Sequence, residues 1–264
     1  MRECVRGRIR SRAAAIVIAA CGAVWSVACG GGSESKPAAV PPVPVESTTV
    51  AAARATAGAT PGGTAGGTAG ATTGVRVLIL GTSLTAGLGL DPDSAYPAAL
   101  QRLVDSSGYR ANVVAAGLSG ETSAGALRRV DWLMRDKADV VVIETGANDG
   151  LRGLQVDTTR ANIVGIIRKV RAANPAARVL LAQMEAPPNL GPQYTRDFHE
   201  TFMSVAREEQ VILIPFFLVG IAGVRDLNQD DGIHPNEEGA RRAARNMWKA
   251  LAPLLRDVPG ATAR

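Results

Sequence analysis

Two segments far apart in the chain carry side chains that could catalyse acyl transfer. Ser83 lies in residues 81–87, Gly-Thr-Ser-Leu-Thr-Ala-Gly, where small residues could leave its hydroxyl accessible at the end of a strand. Asp231 precedes His234 by three residues across a glycine. The carboxylate could therefore reach Nδ1 of the imidazole and leave Nε2 free to act as a base.

The choice of base is narrow because the chain has only two histidines. His199 has polar neighbours on a predicted surface helix, so we expect a solvated helix residue there rather than a catalyst. Imidazole chemistry therefore falls to His234.

Two further turns could donate hydrogen bonds to an oxyanion. Gly120 lies in a Gly/Ser-rich turn, and Asn148 lies in residues 146–150, Gly-Ala-Asn-Asp-Gly. Each turn taken alone is more often an ordinary loop or a capped helix start. In combination with Ser83 and the Asp-x-x-His segment, they complete the set of a nucleophile, oxyanion donors and an oriented base.

The elements that must position these residues alternate between short β-branched runs and segments of helical periodicity. Strands are predicted at residues 75–80, 112–115, 139–144, 178–184 and 211–217. Nearly continuous apolar strands separated by helices indicate an α/β fold with a parallel sheet covered on both faces. Ligands bind beyond the carboxyl ends of such strands, which is where the candidate residues lie.

Three apolar stripes mark the helices. They are Leu127, Val130, Leu133 and Met134; Ile163, Ile166, Ile167 and Val170; and Ala240, Ala244, Met247, Trp248, Leu251 and Leu255. We expect the last helix to be opened by Pro235, since proline is favoured in a first turn.

The four blocks around Ser83, Gly120, Asn148 and His234 resemble those of the SGNH (GDSL-type) hydrolases. They are most similar to the bacterial multifunctional thioesterase/lysophospholipase/arylesterase branch. Residues 146–153, 186–191, 214–217 and 229–236 also resemble that branch, and the resemblance runs from about residue 75 to residue 255. It implies a three-layer α/β/α sandwich with a five-stranded parallel sheet, the flavodoxin-like SGNH hydrolase fold.

The resemblance also implies site roles. Ser83 would be the nucleophile, Asp231 and His234 would complete a triad, and the oxyanion hole would combine the Ser83 and Gly120 N–H groups with the Asn148 amide. The implied activity is hydrolysis of carboxylic esters, and in that branch also of thioesters or lysophospholipids, without a cofactor or metal. One position departs from the family, which usually has Asp where this chain has Thr82, so activity could be reduced or altered.

The amino-terminal part of the 264-residue chain predicts export. An arginine-rich start is followed by an apolar run over residues 13–28, which resembles a bacterial lipoprotein signal ending at Cys29. Cys21 is the competing lipidation site, and an uncleaved anchor or a plain secretory signal are the other interpretations. We expect a lipid-anchored protein of the cell envelope, periplasmic or on the outer surface.

The predicted domain organisation follows composition. Residues 1–29 are the signal, 30–73 a disordered Gly/Ala/Thr/Pro-rich tether, 74–257 the hydrolase domain and 258–264 a disordered tail. All three cysteines lie in the signal, which excludes disulfides and thiolate metal sites from the domain. Seven basic and three acidic residues fall in 1–73, leaving 22 basic and 21 acidic residues beyond, so the chain's basicity does not indicate nucleic-acid binding.

Other catalytic schemes fit less well. The chain has no Gly-x-Ser-x-Gly elbow, no P-loop and no dinucleotide fingerprint. The alternatives left open are a carbohydrate O-deacetylase on the same fold and a catalytically inactive acyl-binding surface lipoprotein. We expect a monomer that acts on a small-molecule or lipid ester.

Overall fold

Five parallel strands form the framework of the domain. The computed structural model describes residues 74–262, and its sheet has the order β2-β1-β3-β4-β5. The strands are β1 (Val75–Gly81), β2 (Ala111–Gly117), β3 (Val140–Ile143), β4 (Arg178–Ala182) and β5 (Ile212–Ile214). The predicted α/β fold with a five-stranded parallel sheet is confirmed.

The sheet is buried most deeply along its central strands. Val77 of β1 is paired with Val113 on one side and with Val140 on the other. Every residue of β3 is fully buried, as expected for a parallel strand covered by helices on both faces. The last strand is shorter than the predicted 211–217, because Pro215 has no N–H to donate to a neighbouring strand.

Helices cover the sheet in two groups. The helices are α1 (Ser83–Ala86), α2 (Tyr96–Ser106), α3 (Ser123–Leu133), α4 (Ala147–Leu151), α5 (Val156–Ala173), α6 (Pro192–Glu208) and α7 (Glu237–Arg256). In one group α2 packs against α7, and in the other α5 packs against both α3 and α6. The predicted stripe of α5 is entirely buried, which shows that it faces the core.

The last helix begins two residues later than predicted. Pro235 is not in its first turn, because it forms an isolated antiparallel bridge with Asn228. The cap is Asn236, whose Oδ1 accepts a hydrogen bond from the Gly239 N–H at 3.0 Å. This cap fixes the distance between the start of α7 and His234, so it also helps to place the candidate base.

The expectation of a disordered tail does not hold for residues 258–262. Ala261 is fully buried, and its carbonyl oxygen accepts a hydrogen bond from the Arg110 N–H at 2.6 Å. Thr262 forms a bridge with Tyr109, so this segment closes the edge of the domain beside β2. The predicted signal, the tether and both candidate lipidation cysteines lie outside the described residues. None of the helices between residues 74 and 262 is long and apolar enough to span a membrane.

Candidate active site

The candidate residues meet at the point where the strand order reverses. In the order β2-β1-β3-β4-β5, β2 lies on one side of β1, and β3 and the strands that follow it lie on the other side. Ser83 follows β1 and Asn148 follows β3, so they lie on either side of this crevice. Gly120 follows β2 at the same edge of the sheet. Such a crevice is the usual ligand site of an open α/β sheet.

Ser83, His234 and Asp231 form one continuous hydrogen-bonded chain. Ser83 Oγ lies 2.8 Å from His234 Nε2, and His234 Nδ1 lies 2.6 Å from Asp231 Oδ2. An ionised carboxylate can only accept hydrogen bonds, so Nδ1 carries the imidazole proton and Nε2 accepts from the Ser83 hydroxyl. The three side chains predicted to work together are therefore in contact, in the orientation that a general base requires.

The Asp231 carboxylate is held ionised by its own loop. Hydrogen bonds from the His234 side chain, then from the His234 and Ile233 N–H groups, lower its pKa from 3.8 to about 2. The loop itself is closed by the Gln229 N–H, which donates to the His234 carbonyl at 2.7 Å. Asp231 is consequently an anion at neutral pH and fixes both the tautomer and the angle of the ring.

The turn that carries Ser83 rests on a buried acid that sequence reasoning did not single out. Glu144 accepts hydrogen bonds from the Thr82 N–H at 2.9 Å, the Thr82 hydroxyl at 2.8 Å and the Thr85 hydroxyl at 2.7 Å. Burial raises the pKa of Glu144, and these hydrogen bonds oppose that rise. A β-carbon on Gly81 would lie 1.9 Å from Thr85 Oγ1, so only glycine allows the turn to close over this acid.

The predicted oxyanion donors surround the space in front of Ser83. Gly120 has a φ of 76°, a conformation that favours glycine, and its carbonyl oxygen accepts a hydrogen bond from Arg152 at 3.0 Å. Asn148 Nδ2 donates to the Glu121 carbonyl at 3.0 Å. An amide nitrogen carries two hydrogens, so one hydrogen fixes the Asn148 side chain and the other remains for a ligand.

Two charged residues that the sequence analysis missed hold these donors in place. Arg129 binds Glu121 through two of its nitrogens and also donates to the carbonyl oxygens of Gly81 and Ala116, at the ends of β1 and β2. Asp149 accepts from both the backbone and the hydroxyl of Ser123, at 2.8 and 2.5 Å. Neither Arg129 nor Asp149 has a partner that local spacing could have revealed.

The serine and the donors open onto one groove of about 600 Å³. Apart from Ser83, Asn148, His234 and Glu185, its walls are apolar side chains and glycines: Leu84, Leu88, Gly120, Ala147, Leu151, Met184, Ala186, Pro187, Pro188, Phe216, Leu218, Ala222, Gly223, Gly232 and Ile233. A larger depression of about 940 Å³ lies beside α6, but it contains none of the candidate catalytic residues. The groove is therefore the space in which a substrate can meet Ser83.

His199 is separate from this triad. It lies on α6, as expected, but it is only partly exposed, and its Nδ1 lies 2.8 Å from Glu185 Oε1. His199 is thus a helix residue outside the triad, as expected, and it has in addition a partner on the turn after β4. Within residues 74–262 no group of three or more His, Cys, Asp or Glu side chains is arranged to hold a metal ion.

Comparison with known proteins matches the described domain to one family. The family model for the GDSL-like lipase/acylhydrolase family matches residues 79–242. Esterase TesA of Pseudomonas aeruginosa is 42% identical over 180 residues, which cover 68% of this chain and 89% of that protein. Thioesterase 1/protease 1/lysophospholipase L1 of Escherichia coli is 38% identical over 180 residues, covering 68% of this chain and 84% of that protein.

The similarity to a solved structure agrees with these sequence comparisons. The psychrotrophic esterase EstA from Pseudoalteromonas sp., in a form inhibited by monoethylphosphonate, superposes with a TM-score of 0.65 at 36% identity. The alignment covers 69% of this chain and 98% of that one. The similarity thus spans almost the whole relative and leaves about a third of this chain unmatched.

Proposed function

The chain belongs to the GDSL-like lipase/acylhydrolase family and is a carboxylic ester hydrolase, and from this premise we propose that it hydrolyses acyl esters through a Ser83–His234–Asp231 triad. The observation that carries the proposal is the hydrogen-bonded chain from Asp231 through His234 to Ser83, which opens directly onto the apolar groove.

The proposed reaction has two steps. His234 Nε2 accepts the Ser83 proton as Ser83 Oγ attacks the ester carbonyl carbon, and the resulting imidazolium returns that proton to the leaving alcohol. Water, activated by the same imidazole, then hydrolyses the acyl-enzyme and releases the acid. In both steps the negative oxygen lies among the Ser83 N–H, the Gly120 N–H and the Asn148 amide, each of which we expect to contribute on the order of 3 kcal/mol.

The groove supports an acyl chain as the substrate part that is bound. Apolar walls stabilise methylene groups by removing them from water, at about 0.8 kcal/mol for each fully buried methylene. A sugar would instead need many convergent polar groups. In the described part of the chain, Glu185 is the only polar side chain of this groove besides the proposed triad and oxyanion residues. We therefore favour aryl and acyl esters, with thioesters and lysophospholipids as further substrates, over a carbohydrate O-deacetylase.

We also propose that the protein is a lipoprotein of the cell envelope. Support comes from the sequence, in which an arginine-rich start and an apolar run precede Cys29, followed by a Gly/Ser-rich stretch. Metabolic labelling with a radioactive fatty acid should mark the wild type and the Cys21→Ala variant but not Cys29→Ala. Labelling that is lost only in Cys21→Ala would move the site to Cys21, and unlabelled wild type would overturn the proposal.

The esterase proposal is tested with p-nitrophenyl acetate, butyrate, octanoate and palmitate. The wild type should turn over these esters with a preference for chains longer than acetyl, and Ser83→Ala should not. Activity on acetate alone would favour a deacetylase. No turnover above Ser83→Ala on any ester would contradict the proposed function and favour an inactive acyl-binding protein.

A further inference from the structure

One wall of the apolar groove carries a single carboxylate. Glu185 lies on the turn after β4, and among residues 74–262 it is, apart from His234, the only titratable side chain that lines the groove. It has no part in the proposed triad or oxyanion hole. A lone acid among apolar walls imposes a charge preference on whatever occupies the groove, because an ion is held there with less competition from water.

The Glu185 side chain is held in place from one side only. Its Oε1 lies 2.8 Å from His199 Nδ1 and 3.0 Å from Gln183 Nε2. Its Oε2 makes no hydrogen bond to any part of the chain that the structure describes, and 34% of the side chain is exposed. The carboxylate is thus oriented by protein partners while one oxygen remains available to a ligand.

The order of the strands places Glu185 along the path of a substrate. Ser83 follows β1 and Glu185 follows β4, and β3 with Asn148 lies between them. Neighbouring strands are about 4.8 Å apart, so two intervals separate the two turns by roughly 10 Å. An ester with its carbonyl oxygen at Asn148 can therefore extend a medium-length acyl chain from Ser83 over β3 toward Glu185.

We propose that Glu185 is a specificity-determining residue, which favours acyl chains that end in a positively charged ammonium group and disfavours those that end in a carboxylate. The inference rests on the proposed esterase function and names a substrate class for the same groove. No Lys or Arg side chain among residues 74–262 contacts Glu185, so His199 is its only basic partner.

The test compares p-nitrophenyl esters of three acyl chains of equal length. One ends in a trimethylammonium group, one in the isosteric neutral tert-butyl group and one in a carboxylate. The wild type should hydrolyse the cationic ester with the highest kcat/KM and the anionic ester with the lowest. Glu185→Gln should reduce the ratio of cationic to neutral kcat/KM roughly three- to tenfold, and salt should reduce the wild-type ratio in the same direction.

Two controls separate this effect from general damage. The neutral tert-butyl ester is the internal reference, because a general loss of activity in Glu185→Gln lowers kcat/KM for the neutral and the cationic ester alike and leaves their ratio unchanged. Asp131→Asn on α3 removes one carboxylate outside the groove and should leave the ratio as it is. Should Glu185→Gln fail to fold, Glu185→Lys provides a second test, because it should reverse the preference toward the anionic ester.

The proposal is overturned if Glu185→Gln keeps the wild-type ratio, or if Asp131→Asn shifts it equally. In either case, loss of acetate hydrolysis in Ser83→Ala would still leave the esterase function standing. If Ser83→Ala kept the wild-type rate of acetate hydrolysis, the proposed function itself would be contradicted.

Discussion

Thr82 donates two hydrogen bonds to the same buried carboxylate, from its N–H to Glu144 Oε2 at 2.9 Å and from its hydroxyl to Oε1 at 2.8 Å. Thr82 is the position at which this chain departs from the aspartate usual in the family that it resembles. The threonine therefore keeps the nucleophile turn tied to β3 without placing a second negative charge beside Glu144. Compared with an aspartate, threonine at this position leaves one negative charge fewer beneath Ser83.

Thr82→Val should destabilise the domain by about 1–3 kcal/mol, because the isosteric side chain leaves Glu144 buried with one donor fewer. The rate of ester hydrolysis should fall as well, since the turn that presents Ser83 loses an anchor. Thermal unfolding and kcat on p-nitrophenyl butyrate measure both effects. Thr82→Ser keeps the hydroxyl and should stay close to the wild type. Equal losses in the Val and Ser variants would show that the hydrogen bond to Glu144 is not what matters.

Thr82→Asp should make stability depend on pH. The new carboxylate would lie beside Glu144, whose pKa burial already raises above 4.5, and two adjacent carboxylates cannot both ionise readily. A carboxyl group with a raised pKa in the folded state stabilises most at low pH, and that contribution is lost as the pH rises through the folded pKa. The Tm of Thr82→Asp should therefore fall relative to the wild type as the pH rises above 4.5. Thr82→Asn, equally polar but uncharged, should show a constant difference, and a constant difference in Thr82→Asp would contradict the pairing.

Asn148→Ala should reduce kcat by roughly two to three decades with little change in KM, because the amide is proposed to bind the oxygen only once it becomes negative. Steady-state kinetics on the p-nitrophenyl esters measure the split. Asn112→Ala, an exposed asparagine on β2, serves as the matched control and should be neutral. Full activity in Asn148→Ala would remove this residue from the oxyanion hole.

Asp231→Asn should lower kcat by about two to four decades, because the amide cannot hold the His234 tautomer that accepts the Ser83 proton. Asp230→Asn changes the adjacent exposed acid and should have little effect.

The pKa of Asp231 is lowered from 3.8 to about 2, so ionised Asp231 stabilises the folded state. This contribution is fully present above pH 3.8 and is lost as the pH falls through 2. The Tm difference between wild type and Asp231→Asn should be steady near neutral pH and shrink in acid, and growth of that difference in acid would contradict this assignment.

The residues of the site that could be predicted from the sequence are those whose partners are local or whose position follows from strand order. Asp231 and His234 are three residues apart and meet through one turn. Ser83 and Asn148 each follow an apolar strand, and parallel strands bring their carboxyl ends to one edge. The five strands and the buried stripe of α5 could be predicted as well, because the spacing of apolar residues is a local property of the sequence.

The supporting residues could not be predicted, because their roles depend on contacts between distant segments. Glu144 lies 62 residues from Thr82 in the chain, and its burial becomes evident only when β1 and β3 pair. Arg129 likewise reaches backbone carbonyls on two strands. The packed segment after α7 was missed because Ala261 belongs to no apolar stripe, and its contact with the Arg110 N–H joins segments that are far apart in the chain.

Covalent labelling tests whether Ser83 is the nucleophile that His234 activates. Full-length protein would be treated with a p-nitrophenyl phosphonate and the site of attachment mapped by mass spectrometry of peptides. We expect one phosphonyl adduct, on Ser83, with loss of activity in proportion to labelling, slow labelling of His234→Ala and none of Ser83→Ala. Labelling of a different residue, or inactivation of the enzyme without an adduct on Ser83, would contradict this assignment.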